Sequence, residues 1–156
     1  MKVVTIVDED FVNYKKASMY IAFPNCSFKC GKDLCQNSPL TKQERVEISY
    51  ESIVKRYLNN DYTDAIVFAG LEPFDDFLDI YMLIHEFRIY TEDDIVIYTG
   101  YNKDEIQGDI DYLKDIAGFK NLIIKFGRYI PNQKPHYDEI LGVNLASDNQ
   151  YAEKIC

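Results

Sequence analysis

The sequence predicts a single α/β domain over residues 1–156, in which parallel strands alternate with crossover helices. Two observations carry that expectation. Apolar runs at Met19–Phe23, Ala65–Ala69, Ile95–Thr99 and Leu122–Phe126 have the length and composition of buried strands. Between them lie segments whose apolar residues recur at helical spacing, which suits crossover connections rather than hairpin turns. Hydrophobic residues make up 47% of the chain, enough for one sizeable core, and 13 Tyr and 9 Phe supply its bulk in the absence of Trp.

Taken in order, Lys2 opens a mixed, strand-like stretch broken by Asp8, Glu9 and Asp10, and Met19–Phe23 reads as the first buried strand. Pro24–Leu40 reads as a loop carrying three cysteines, Gly31, two prolines and two asparagines. Ser49 is placed to N-cap a helix reaching Asn59, with Ile53, Val54, Tyr57 and Leu58 on one face. Ala65–Ala69 ends in the turn Gly70-Leu71-Glu72-Pro73, and a helix follows with Phe74, Phe77, Leu78, Tyr81 and Ile84 at helical spacing. After Ile95–Thr99, Asn102 and Glu105 form a capping box for a helix to Ala117 with Ile106, Ile110 and Leu113 as its stripe, weakened by Gly108. Leu122–Phe126 ends at Gly127, and Leu141–Ala146 reads as a final strand or extended edge. Because ligands gather at the carboxyl ends of parallel strands, the cysteine loop, Gly70–Pro73, Thr99–Tyr101 and Gly127–Tyr129 are expected to converge.

A net charge of -9 argues against a nucleic-acid partner, which would need clustered Lys and Arg. The longest apolar run, Ala65–Leu71, falls far short of the ~20 residues of a membrane-spanning helix. The N-terminal stretch lacks the pattern of a signal peptide. A cytoplasmic location is therefore expected, where cysteines serve metal binding or catalysis before disulfides.

Cys26, Cys30 and Cys35 share one short polar loop. Three thiolates from such a loop suit three irons of a four-iron cluster, leaving the fourth iron open to a small molecule. Structural zinc would need a fourth ligand from Cys156, His85 or His136, far away in sequence, and the usual C-x-x-C pairs are missing. Inert cysteines belong in apolar cores rather than polar loops.

These residues resemble the radical S-adenosylmethionine (SAM) enzymes. Cys26-Ser27-Phe28-Lys29-Cys30 reproduces the first spacing of that family's CxxxCxxC pattern, and Leu34 precedes Cys35 as the pattern has an apolar residue before its last cysteine. The second gap holds four residues where the pattern has two. Ala69-Gly70-Leu71-Glu72-Pro73 resembles the family's GGEP turn, with Leu71 in place of its second glycine. Within the superfamily the chain is most similar to activating enzymes of anaerobic ribonucleoside-triphosphate reductase. Asp10-Phe11-Val12-Asn13, Cys35-Gln36-Asn37, Tyr98-Thr99-Gly100-Tyr101, Phe126-Gly127-Arg128-Tyr129 and Ser147-Asp148-Asn149-Gln150 carry that likeness.

The resemblance implies a partial (β/α) barrel of radical SAM type, a [4Fe-4S] cluster on Cys26, Cys30 and Cys35, and SAM as second cofactor. It implies reductive cleavage of SAM to a 5′-deoxyadenosyl radical that abstracts hydrogen from a glycine of a glycyl-radical enzyme, an anaerobic ribonucleotide reductase-like partner. A flavodoxin-like electron donor is implied as well. Gly70 and Glu72 are expected near the SAM amino group, with Thr99 and Asn37 in the pocket wall; turn capping is the competing role for the last two, and a helix-N-terminal acid is a compatible one for Glu72. Arg128 is expected to face a carboxylate or partner, or to be simply exposed. Two alternatives stand beside this reading: another small radical SAM enzyme acting on a peptide or small molecule, and a metal-stabilised binding module without SAM chemistry. His85 is expected in the core or at its edge, His136 in a loop, and Cys156 as a frayed thiol.

Overall fold

The computed structural model describes residues 1–156. Its centre is a six-stranded sheet made of β2 (Thr5–Asp10), β3 (Ser18–Phe23), β5 (Ala65–Gly70), β6 (Asp94–Tyr98), β7 (Leu122–Phe126) and β10 (Tyr151–Lys154). They lie in the order β10-β7-β6-β5-β3-β2. The four inner strands, β3, β5, β6 and β7, are parallel and in chain order, and each edge strand is antiparallel to its neighbour. The expected alternation is therefore present as an open, mostly parallel sheet, without barrel closure.

Helices α1 (Tyr50–Leu58), α2 (Phe77–Arg88) and α3 (Gln107–Asp111) cross between successive parallel strands. Because side chains alternate along a strand, one set of strand residues, including Ile21, Phe68, Ile97 and Ile124, packs on all three crossovers in a single core. The other set, including Val67, Val96 and Ile123, packs on Tyr14, Leu141 and Leu145. This second face is covered by a small antiparallel ribbon of β8 (His136–Asp138) and β9 (Val143–Leu145). A further short pair, β1 (Lys2–Val3) with β4 (Val46–Glu47), ties the N-terminus to the segment before α1.

Several expectations are corrected. Met19–Phe23 is the first buried strand, as expected, but the mixed stretch before it is not broken at its acids: Thr5–Asp10 pairs through Asp10 as the sheet's mostly unburied edge, where charge is tolerated. Leu141–Ala146 is not a strand of the main sheet: its residues 143–145 pair with His136–Asp138, so His136 is a strand residue rather than a loop residue. The final strand is Tyr151–Lys154, four residues at an edge with no long apolar run to mark them. The helix expected from Asn102 to Ala117 has its capping box, but runs as a 3-10 turn, the short α3 and a π turn over Tyr112–Ile116. Ile106, Ile110 and Leu113, the expected stripe, are all buried. Leu58 and Leu78 face solvent, at 44% and 70% exposure. Leu78 lies about 100° around the helix from Phe77, and the core stripe of α2 is Ile80, Leu83, Ile84 and Phe87. Cys156 is not frayed: its thiol donates to the Phe119 carbonyl at 2.8 Å and packs beside the core. His85 is exposed on α2, outside the core in which it was expected, with its ring 6.2 Å from that of Tyr81.

Candidate functional site

A cavity of about 310 Å³ opens at the carboxyl ends of the parallel strands. Cys26, Cys30 and Cys35 line it from the loop after β3, Gly70–Glu72 from the end of β5, Tyr98–Gly100 from β6, and Lys125 and Gly127–Tyr129 from β7. The four expected segments thus converge, as right-handed crossovers between neighbouring parallel strands require.

The cysteine loop is a chain of tight turns, with 3-10 turns at Lys32–Leu34 and Ser38–Lys42. Phe28 sits in the left-handed region (φ 53°), which a bulky side chain rarely adopts. That conformation brings its N–H to the Cys26 sulfur at 3.2 Å. Burial pushes the Cys26 thiol up to about 11, the N–H lowering it only in part and Glu72 and Asp75 adding to the rise. Burial also raises Cys30, as does its neighbour Cys35, with Arg128 opposing. Both shifts favour the protonated thiols of Cys26 and Cys30 in the metal-free protein, and binding an iron ion would displace those protons.

No three His, Cys, Asp or Glu side chains meet closely enough to hold one metal ion. Three thiols lining one cavity, Cys30 and Cys35 within contact of each other and a backbone N–H on the Cys26 sulfur, offer the donor set a four-iron cluster takes.

Behind the cysteines, Gly70 adopts φ 91°, and a Cβ there would lie 2.8 Å from both Ala22 Cα and Phe23 N. Only glycine lets β5 approach β3 this closely while turning toward the cavity. Asn37 donates to the Gly70 carbonyl at 2.6 Å and makes no side-chain cap to its own turn. The third cysteine's turn is thereby pinned to the end of β5.

Glu72 is 6% exposed. Its Oε1 accepts from Thr99 Oγ1 at 2.7 Å and the Phe74 N–H at 3.2 Å, and its Oε2 accepts from the Gly100 N–H at 2.8 Å. It caps the turn at Pro73–Asp76, the helix-N-terminal role expected of it, and it also lines the cavity. Burial raises its carboxyl to about 7 against those three donors. Thr99, 2% exposed, also accepts from the Tyr101 N–H, so it both closes its own turn and orients Glu72.

Sequence reasoning missed Lys125. It is 6% exposed on β7, opens to the same cavity, and donates to a single acceptor, the Gly127 carbonyl at 2.8 Å. An ammonium has three donors. Burial lowers Lys125 to about 8 while Glu72 opposes the shift, and the two form no ion pair. The signal was available, since a lysine inside Leu122-Ile123-Ile124-Lys125-Phe126 is a charge in a strand otherwise buried. Arg128 is neither free nor aimed at bulk solvent: it pairs with Glu105 at 2.7 Å and lines the cavity.

A family model described as a 4Fe-4S single cluster domain matches residues 15–146. Among curated proteins and solved structures, no match was found.

Proposed function

The chain belongs to the family of 4Fe-4S single cluster domains, and from that membership we propose that it is a radical SAM enzyme that activates a glycyl-radical partner. The observation that carries the reading is the shared cavity: three thiols on one wall, and a buried carboxyl and a buried amine on the others, at the carboxyl ends of parallel strands. The family is one found in radical SAM-type proteins. Cys26, Cys30 and Cys35 would hold the cluster, which when reduced would supply one electron to the SAM sulfonium and so break its carbon–sulfur bond to methionine and a 5′-deoxyadenosyl radical.

The protein's own groups bind and orient. Glu72, its carboxyl poised near neutrality, would give up its proton and accept from the ammonium of the methionine moiety. Lys125 offers its two unused donors to the carboxylate. Thr99 and Gly100 keep Glu72 fixed, and Asn37 keeps Gly70 in place. Leu71 narrows the wall where the GGEP pattern has glycine. The open mouth of the cavity, at the carboxyl ends of the strands, would receive the partner's glycine loop.

Anaerobic reconstitution with iron and sulfide, dithionite reduction and addition of SAM should yield 5′-deoxyadenosine. A stoichiometric cluster without SAM cleavage would leave a metal-stabilised binding module. Cleavage without a glycyl radical, by electron paramagnetic resonance with a candidate reductase and a flavodoxin-like donor, would favour a small radical SAM enzyme with a peptide or small-molecule substrate.

A further inference from the structure

The side chain of Tyr101, in the turn after β6, sits where three other turns meet. Its hydroxyl donates to Asp75 Oδ1 at 2.5 Å and lies 3.2 Å from the Ser27 hydroxyl. With its proton committed to Asp75, the Tyr101 oxygen accepts from Ser27. The other Asp75 oxygen accepts the Ser27 N–H. Lys29 Nζ lies 4.5 Å from the Tyr101 ring centre and the Arg128 guanidinium 5.6 Å. Both cations also reach Glu105 Oε1, at 3.9 and 2.7 Å.

One side chain therefore joins the turns that follow β3, β5 and β7. The residues it grips in the first of these, Ser27 and Lys29, are the chain neighbours of Cys26 and Cys30. The segment between them contains the left-handed Phe28. A strained backbone persists only where its surroundings over-determine it, and residues 26–30 have no sheet or helix hydrogen bonds to do so. The polar and cation–π contacts centred on Tyr101 supply that restraint.

We propose that Tyr101 is a positioning residue for the metal-binding loop, its hydroxyl holding Ser27 through Asp75 and its ring holding Lys29, so that the Cys26 and Cys30 thiols face the cavity before any metal arrives. The consequence for iron rests on the proposed cluster; the consequence for the loop does not.

Tyr101→Phe keeps the ring and both cation contacts but removes the hydroxyl. Hydrogen–deuterium exchange on the metal-free full chain should show the amides of residues 26–30 exchanging roughly tenfold faster, the effect of losing one charge-assisted hydrogen bond. Protection in β5 and β6 should be unchanged. Alkylation of Cys26 and Cys30 by iodoacetamide should accelerate in parallel, with Cys156 as the internal reference. Tyr101→Leu, which also removes the ring, should free the loop further. After reconstitution, the Tyr101→Phe cluster should lose iron to a chelator faster than the wild type. Unchanged exchange at residues 26–30 in Tyr101→Phe would overturn the proposal, as would a rise spread equally over β5 and β6, the mark of general destabilisation. A wild-type chain that takes up no iron would instead overturn the proposed function, and the exchange experiment on metal-free protein would still decide the role of Tyr101.

Discussion

Replacing Glu72 with glutamine makes the cost of burying one carboxylate measurable. The Glu72 carboxyl titrates at about 7 in the folded chain against 4.5 for a free glutamate, chiefly through burial. That difference corresponds to about 3 kcal/mol at ~1.36 kcal/mol per pKa unit. Its sign follows from proton counting. Between the two values the folded state holds a proton that the unfolded state has released, so stability falls as pH rises from 4.5 and levels off above about 7. Glutamine carries no titrating proton, but its amide nitrogen would face one of three donors that now point at the carboxyl. This costs about 1–3 kcal/mol at low pH. Urea unfolding of both metal-free proteins at pH 5 and pH 8 yields the double difference, which cancels groups that titrate alike in both. The wild type should lose about 2.5 kcal/mol more than Glu72→Gln across that interval, which starts above the unfolded value. Equal losses in the two proteins would refute the claim that a buried, three-donor carboxyl is held near neutrality, and with it the account of how Glu72 meets a cationic ligand.

Lys125→Met should stabilise the metal-free protein by about 1–3 kcal/mol at pH 7 by removing a buried cation with one partner. It should also abolish the stability gain that the wild type shows as pH rises from about 8 toward 10.5; thermal melts across that range check both. SAM binding to the reconstituted variant, followed by calorimetry, should weaken. Gly70→Ala should cost several kcal/mol, since the added methyl meets backbone at 2.8 Å in a left-handed conformation, and denaturant midpoints measure it. Cys30→Ser should keep the far-ultraviolet circular dichroism of the wild type and lose the brown absorbance of the reconstituted protein; full iron content would show that the ligands lie elsewhere.

Most of the sheet was legible because its inner strands are buried on both faces and read as apolar runs. The thiols, Gly70, Glu72 and Thr99 were legible as residues at strand ends, and the structure brings them to one cavity. What escaped notice lay where local pattern is weak. Tyr151–Lys154 is a strand because β7 offers it a free edge. The ribbon of β8 and β9 exists because the second sheet face needs an apolar cover, which Leu141 and Leu145 provide. The segment after Asn102 departs from a regular helix at the π turn over Tyr112–Ile116, which the regular spacing of Ile106, Ile110 and Leu113 does not mark.

Local chemistry along the chain was sufficient to name the parallel strands, their breaking turns and a loop rich in thiols, since apolar periodicity and turn-forming residues act within a few positions. Tertiary structure alone decided that Lys125 shares a cavity with Glu72, and that Tyr101 links the turns around Cys26 and Cys30. Those facts depend on strand register and order, which select the face each side chain occupies and the distant residue it meets, and no stretch of sequence read by itself contains that choice.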